Sequence, residues 1–255
     1  MDLVLHVTRF QLRAFLRNRK ARMFTLVIPL ILLALLAGVF HGGETTVNGV
    51  TINYRQFFVP SVVVFSLTLT TLAMLVATVV QQREMGILKR RRATPMPAWA
   101  LIASQSLTVV LMAIGTVALL LIVGAVAFSV HIPSNGWIAL VLGVIGGAFA
   151  FCGLGYALST FADNADSAQP MIQLITFPLF FISGIWIPLS ELPTALQVIA
   201  KIFPVEHVAD LVHRAFVGAV PAGPVLIDFV ILVAWAALGG AVAAKRFVWL
   251  PPRRG

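Results

Sequence analysis

Residues 23–40, MFTLVIPLILLALLAGVF, run for eighteen positions without a charged side chain. As a helix rising 1.5 Å per residue this is about 27 Å long, close to the roughly 30 Å hydrocarbon core of a bilayer. Comparable runs recur at about 57–80, 101–130, 137–160, 170–188 and 225–244. Composition agrees: 60% of the 255 residues are hydrophobic and only 11% are charged, against about a quarter charged in soluble domains. The expectation is an all-α integral membrane protein forming one transmembrane domain over residues 1–255. Six spans place both termini on the same side.

The basic residues choose that side. Arg9, Arg13, Arg17, Arg19, Lys20 and Arg22 precede the first span. Arg83, Lys89, Arg90, Arg91 and Arg92 follow the second, and Lys245, Arg246, Arg253 and Arg254 follow the sixth. Only Arg55, Lys201 and Arg214 fall on the opposite face. Basic loops stay cytoplasmic, so both termini are expected inside. Residues 161–169 depart from this pattern, holding Asp163 and Asp166 and no base. Acidic residues weigh little in the rule.

A net charge of +9 raises the question of nucleic acid. These bases flank membrane spans, where anionic lipid headgroups attract them, so lipids are the expected partner and nucleic acid is not. Cys152 is the single cysteine, which excludes an intrachain disulfide. It reads as a packing residue within the fourth span. Twenty-two residues precede the first span, and its apolar length exceeds the usual 7–15 residues of a signal-peptide core, so an uncleaved helix is expected.

Residues 1–22 read as an amphipathic interfacial helix. At 100° per residue Asp2, His6, Arg9, Arg13, Arg17 and Lys20 share one face, beside Leu3, Val7, Phe10 and Ala14. Trp99, Trp137, Trp186 and Trp249 fall near span ends, as an aromatic belt requires, whereas Trp235 lies inside the sixth span and reads as a packing residue. Gly143 and Gly147 have GxxxG spacing, with Gly146, Gly153 and Gly155 nearby. That marks close helix packing within one subunit or between two. Ser66, Thr68, Thr70 and Thr71 in the second span either bond their own helix carbonyls or line a pathway for an amphipathic substrate.

Two loops carry functional signals. The cytoplasmic loop 81–99 reads QQREMGILKRRRATPMPAW, in which Arg83 and Glu84 begin a short polar helix and Thr94-Pro95-Met96-Pro97 ends it. The four consecutive bases Lys89–Arg92 cannot share one narrow helical face, so some point to the cytosol as a docking surface. The external loop 189–224 reads as two short amphipathic helices. Ser190 caps the first, with Leu192, Leu196, Ile199 and Phe203 as its apolar stripe, and Pro204 separates it from the second. Both are shorter than the roughly 17 residues needed to cross a bilayer, so they lie on the outer surface or dip into it.

Enzymatic signals are weak. HExxH and GxSxG are absent. Glu206, His207, Asp210 and His213 have spacings that invite a metal reading, but on an exposed helix such groups are solvated, so no metal site is expected. Asp228 reads as an outer-edge residue reached by water, which weighs against an ion-coupled carrier. None of the four lysines follows a glycine, so the Walker A phosphate loop is missing and ATP is not bound by that route.

The ordered set Arg83-Glu84-x-Gly86, Thr94-Pro95, Ser183-Gly184, Pro188, Leu192-Pro193, Pro204 and Arg214 resembles the type-2 ABC exporter permeases, most closely the compact daunorubicin-resistance-permease-like branch. Ile87 departs from the Thr often found after the glycine. The resemblance covers the whole chain. It implies that residues 83–97 form a coupling helix seated in a cytosolic ATPase, with Arg83, Glu84, Gly86, Lys89, Arg90, Arg91, Arg92, Thr94 and Pro95 as its motif. It also implies that residues 189–217 form paired re-entrant helices at the outer end of the translocation path. Two ATPase subunits and a second permease copy or paralogue complete the transporter, with ATP and Mg on the ATPases and no cofactor on this chain. The expected activity is export across the plasma membrane of a lipophilic or amphipathic cargo, namely a drug, natural product or lipid. The alternatives are an ion-coupled secondary transporter and a polysaccharide or glycolipid exporter.

Overall fold

The computed structural model describes residues 2–40, 42–92, 97–162 and 164–246. Thr94, Pro95, Asp163, Trp249, Arg253 and Arg254 lie outside the described residues. Among the described residues, four helices are long and apolar enough to cross a membrane: Tyr54–Glu84, Trp99–Phe128, Trp137–Ser159 and Ala222–Lys245.

The chain begins with α1 (Asp2–Arg17), α2 (Arg19–Arg22), a π-helical turn at Met23–Val27, and α3 (Ile28–Val39). The amphipathic segment expected over residues 1–22 is helical, as α1 followed by α2. Its Thr8 is buried and donates to the Ser104 carbonyl at 3.3 Å, while Leu3 and Phe10 stay exposed on its apolar side. The apolar helix of the first expected span is the shorter Thr25–Val39.

A hairpin interrupts the all-α expectation. Strands β1 (Glu44–Val47) and β2 (Val50–Asn53) pair antiparallel, with Val47 opposite Val50. The two-residue connection is Asn48-Gly49, both at positive φ (51° and 78°), which Asn and Gly accept most readily and which matches strand twist.

Asn53 then caps the central helix, its side chain accepting from the Gln56 amide at 2.9 Å. That helix is continuous: α4 (Tyr54–Thr68), a π-helical turn at Leu69–Ala73, and α5 (Met74–Glu84). It is the most enclosed of the four long helices. A turn at Gly86 leads to α6 (Ile87–Arg92), followed by α7 (Ala98–Phe128), α8 (Trp137–Ser159) and α9 (Ala165–Ile182), which contains Pro170 and Pro178. A 3-10 turn at Leu189–Glu191 precedes α10 (Thr194–Ala200), α11 (Pro204–Val217) and α12 (Ala222–Arg246).

Glycines on α8 decide how these helices meet. A methyl group on Gly239 of α12 would fall 2.3 Å from the Gly153 backbone carbon, and one on Gly147 would fall 2.6 Å from Val208 of α11. Gly143 faces Leu211 and Val212 of the same helix. The GxxxG pair therefore packs within the subunit, forming the groove into which α11 sinks. Leu226, Ile227, Val230 and Val233 of α12 remain exposed, as a lipid-facing surface would be. Cys152 is free and buried, consistent with a packing role.

Candidate coupling surface and outer cap

The end of the helices that carries the candidate coupling surface is organised by Arg83 and Glu84. They occupy the last turn of α5 instead of beginning a separate polar helix, because the break comes after them. Gly86 adopts φ 68°, and its amide bonds the Arg83 carbonyl at 3.1 Å, ending α5 with a left-handed residue. Arg83 is 4% exposed. Its guanidinium donates to the Ser159 carbonyl at 3.1 Å and to the Ala162 carbonyl, cations at a helix C-terminus being favourable to its dipole. Glu84 does the reverse, its carboxylate accepting from the Ala165 amide at 2.9 Å at the start of α9. Asn164 and Ser167 complete that helix start with reciprocal capping bonds.

Adjacent residues therefore bind the C-terminal end of α8 and the N-terminal end of α9. The segment joining α8 to α9, which has no base of its own, is anchored by one in the last turn of α5. On α6, Leu88 is buried and Arg90 is exposed. Lys89, Arg91 and Arg92 lie on the same short helix; their side chains are outside the described set, as are Thr94 and Pro95 altogether.

A cavity of about 450 Å³ lies beside this end, between α1, α5 and α7, and is lined in part by Gln11, Gln81, Gln82, Gln105 and Thr108. The hydroxyls of the second span are buried. Ser66, Thr68 and Thr71 donate to the carbonyls of Val63, Val64 and Leu67 at 3.0, 2.9 and 2.6 Å. Thr70 lies in the π-helical turn.

At the opposite end of the Tyr54–Glu84 helix, residues 183–218 form a cap. Ser183 is buried, Gly184 turns the chain at φ 76°, and Pro188 precedes the 3-10 turn. The first external helix starts at Thr194, after Leu192 and Pro193, instead of at Ser190. Of α10 only Ala200 is buried, and Ile199 is exposed, so its expected apolar stripe does not pack inward as a whole. Pro204 opens α11 at a position where its missing N–H costs nothing, and Gly218 closes it at φ 76°.

The expectation of a solvated second helix is overturned: both faces of α11 are buried. The apolar face enters the α8 glycine groove. The polar face meets partners from remote segments. Asp210 accepts from Arg214 Nε at 2.5 Å and from Asn48 of the hairpin at 3.1 Å. His213 stacks on Phe57 at 4.9 Å and lies 3.2 Å from Ser61 Oγ. Ser61 already donates to the Phe57 carbonyl at 2.8 Å, so Nε2 of His213 is the donor. Burial pushes the His213 imidazole down to about 4 and the Glu206 carboxyl up to about 7, His207 pulling the other way.

Asp228 is likewise not at a wet edge. It is 7% exposed and lies 2.7 Å from His207 Nδ1. Trp235, expected to pack, also donates its indole N–H to the Ile202 carbonyl at 3.0 Å, holding the link between α10 and α11 against the last span. Of the expected external motif, Ser183, Gly184 and Pro188 border a cavity of about 300 Å³ with Glu206, Asp210 and His213. Arg214 is tied to Asp210 at its edge.

Known proteins are similar to this chain in sequence. "Probable multidrug ABC transporter permease YbhR" of Escherichia coli is 22% identical over 166 residues, 65% of this chain and 45% of that protein. "Putative transport permease YvfS" of Bacillus subtilis is 20% identical over 197 residues, 77% of this chain and 78% of that one. "Nodulation protein J" of Rhizobium leguminosarum is 32% identical over 87 residues, a third of each chain. The chain thus spans less than half the length of YbhR. Residues 44–245 match the family described as ABC-2 family transporter protein, and the chain, a multi-pass membrane protein, belongs to that family of permeases.

Proposed function

We propose that this chain is the membrane permease of an ATP-driven exporter, carrying a lipophilic or amphipathic cargo outward across the plasma membrane. It crosses the bilayer six times, with α3 and α9 as the shorter first and fifth spans and both termini in the cytosol. Two cytosolic ATPases bind and hydrolyse ATP with Mg, and a second permease copy or paralogue completes the path.

The observation that carries this reading is the unbroken helix Tyr54–Glu84. At one end it is joined through Gly86 to α6, where Arg90 is exposed. At the other, Phe57 and Ser61 hold His213 of the cap. A rigid element linking both ends lets movement of α6 by an ATPase reach the external segment, as alternating exposure requires. Membership of the ABC-2 family and similarity to YbhR, a probable multidrug ABC transporter permease, support this reading.

The test is purification in mild detergent with the cognate ATPase. Reversing Arg90, Arg91 and Arg92 to Glu abolishes co-purification while insertion persists; normal co-purification by that variant refutes the docking role. For the topology, Val50→Cys in a Cys152→Ser background is labelled from outside, and Thr94→Cys only after permeabilisation. The opposite pattern inverts the protein.

A further inference from the structure

One buried cluster has no part in that transport reading. Glu206 and His207 on α11 and Asp228 on α12 place one ligand atom each within 4.8 Å of one another, and all three residues are buried. The ring's own hydrogen bonds determine which atoms converge. His207 Nε2 is 2.9 Å from the Lys201 carbonyl oxygen. A carbonyl only accepts, so Nε2 carries the hydrogen. Nδ1 is thereby turned toward Asp228 Oδ1 at 2.7 Å and Glu206 Oε2 at 3.3 Å.

An imidazole nitrogen and two carboxylates converging out of water are stabilised by positive charge between them. A proton on Nδ1 makes one hydrogen bond, to Asp228 Oδ1. It leaves Glu206 Oε2 and Asp228 Oδ2 buried without a hydrogen-bond partner. A cation that keeps coordinated water engages both carboxylates together.

We propose that Glu206, His207 and Asp228 form a zinc site, with Nδ1 and an oxygen from each carboxylate as the three protein ligands. One nitrogen and two oxygens, with water in the open position, is a donor set Zn²⁺ accepts. The bond from Nε2–H to the Lys201 carbonyl is the outer-shell contact that fixes the tautomer of a metal-bound histidine. An entry path exists, because Glu206 borders the outer 300 Å³ cavity. The ion ties α11 to α12 and so clamps the cap onto the last span. The inference rests on these three side chains and holds whatever the cargo or energy source.

The test uses the full chain, purified in detergent on a tag without histidine, stripped with EDTA and titrated with Zn²⁺ by calorimetry, with bound metal counted by mass spectrometry. One zinc binds per chain. His207→Gln and Asp228→Asn each lower the affinity at least about tenfold, the scale at which even outer-shell changes act, whereas His213→Gln leaves it unchanged. Substituted Co²⁺ shows visible absorption bands that His207→Gln removes. Glu206→Gln, which keeps the shape of the site, serves where the other variants do not fold, and it too loses about tenfold or more. Uptake by the wild type no greater than by the triple variant Glu206→Gln, His207→Gln, Asp228→Asn overturns the proposal. So does an affinity unaltered by Glu206→Gln or His207→Gln.

Discussion

Helices α10 and α11 follow one another in the cap, are both too short to cross a membrane, and both carry apolar stripes in sequence, but they end in opposite surroundings. In α10 Ala200 is buried and Val198 and Ile199 are exposed. In α11 the residues from Pro204 to Ala209 are all buried, and Leu211, Val212, His213, Ala215 and Phe216 with them. The difference is set by what each helix meets. α11 lies in a groove opened by Gly143 and Gly147, and its polar face is met by Asn48, Ser61 and Asp228 from three distant parts of the chain. Amphipathic sequence shows that a helix has two kinds of face; it does not show that the polar face is wet.

The sharpest way to break this contrast is truncation on each helix. Leu211→Ala on α11, at 0% exposure, is expected to cost about 2–5 kcal/mol. Ile199→Ala on α10, at 43% exposure, is expected to stay within about 0.5 kcal/mol. Thermal unfolding in detergent reads both, and equal losses would erase the distinction. Filling the groove comes next. Gly147→Leu forces a side chain into Val208 and is expected to destabilise by about 1–3 kcal/mol, with α11 becoming accessible to protease.

The same logic distinguishes two arginines at the opposite end of the central helix. Arg83→Gln gives up charged hydrogen bonds to the ends of α8 and the following turn, at about 1.5–3 kcal/mol. Arg90→Gln leaves the unfolding temperature in place and weakens only ATPase association. A variant of Arg83 that unfolds normally would remove its anchoring role.

A separate effect is in pH. His213 titrates near 4 when folded and near 6.5 when unfolded. Below about 6.5 the unfolded chain takes up a proton that the folded ring, facing Phe57 and Ser61 with Asp210 nearby, refuses. Its contribution to stability is therefore full above 6.5 and declines as the pH falls toward 4. His213→Gln flattens that part of the stability profile; an unchanged slope would contradict a buried neutral ring.

Much of the frame was legible in sequence. The long apolar runs coincide with helices because a span must satisfy its own backbone in lipid, and run length records that directly. The amphipathic α1 was legible from its period. The hairpin was equally available, since Val47-Asn48-Gly49-Val50 places a turn dipeptide between β-formers, but the surrounding hydrophobic spans drew the reading to helices alone. Arg83 and Glu84 were singled out as a motif, while their orientation was not visible. Both were expected on a docking surface, and both bind the ends of neighbouring helices. The nearness of Asp228 to a span end predicts a wet residue, but distance along the chain says nothing of His207, twenty-one residues earlier, folding back against it.

By itself, the sequence determined that this chain belongs in a membrane and where its helices run, because bilayer thickness and backbone hydrogen bonding act on each segment alone. The tertiary structure alone decided which polar groups are buried and with whom. Partners such as Arg83 with Ser159, or His207 with Asp228, come from helices that only packing brings together, and no local pattern encodes that meeting.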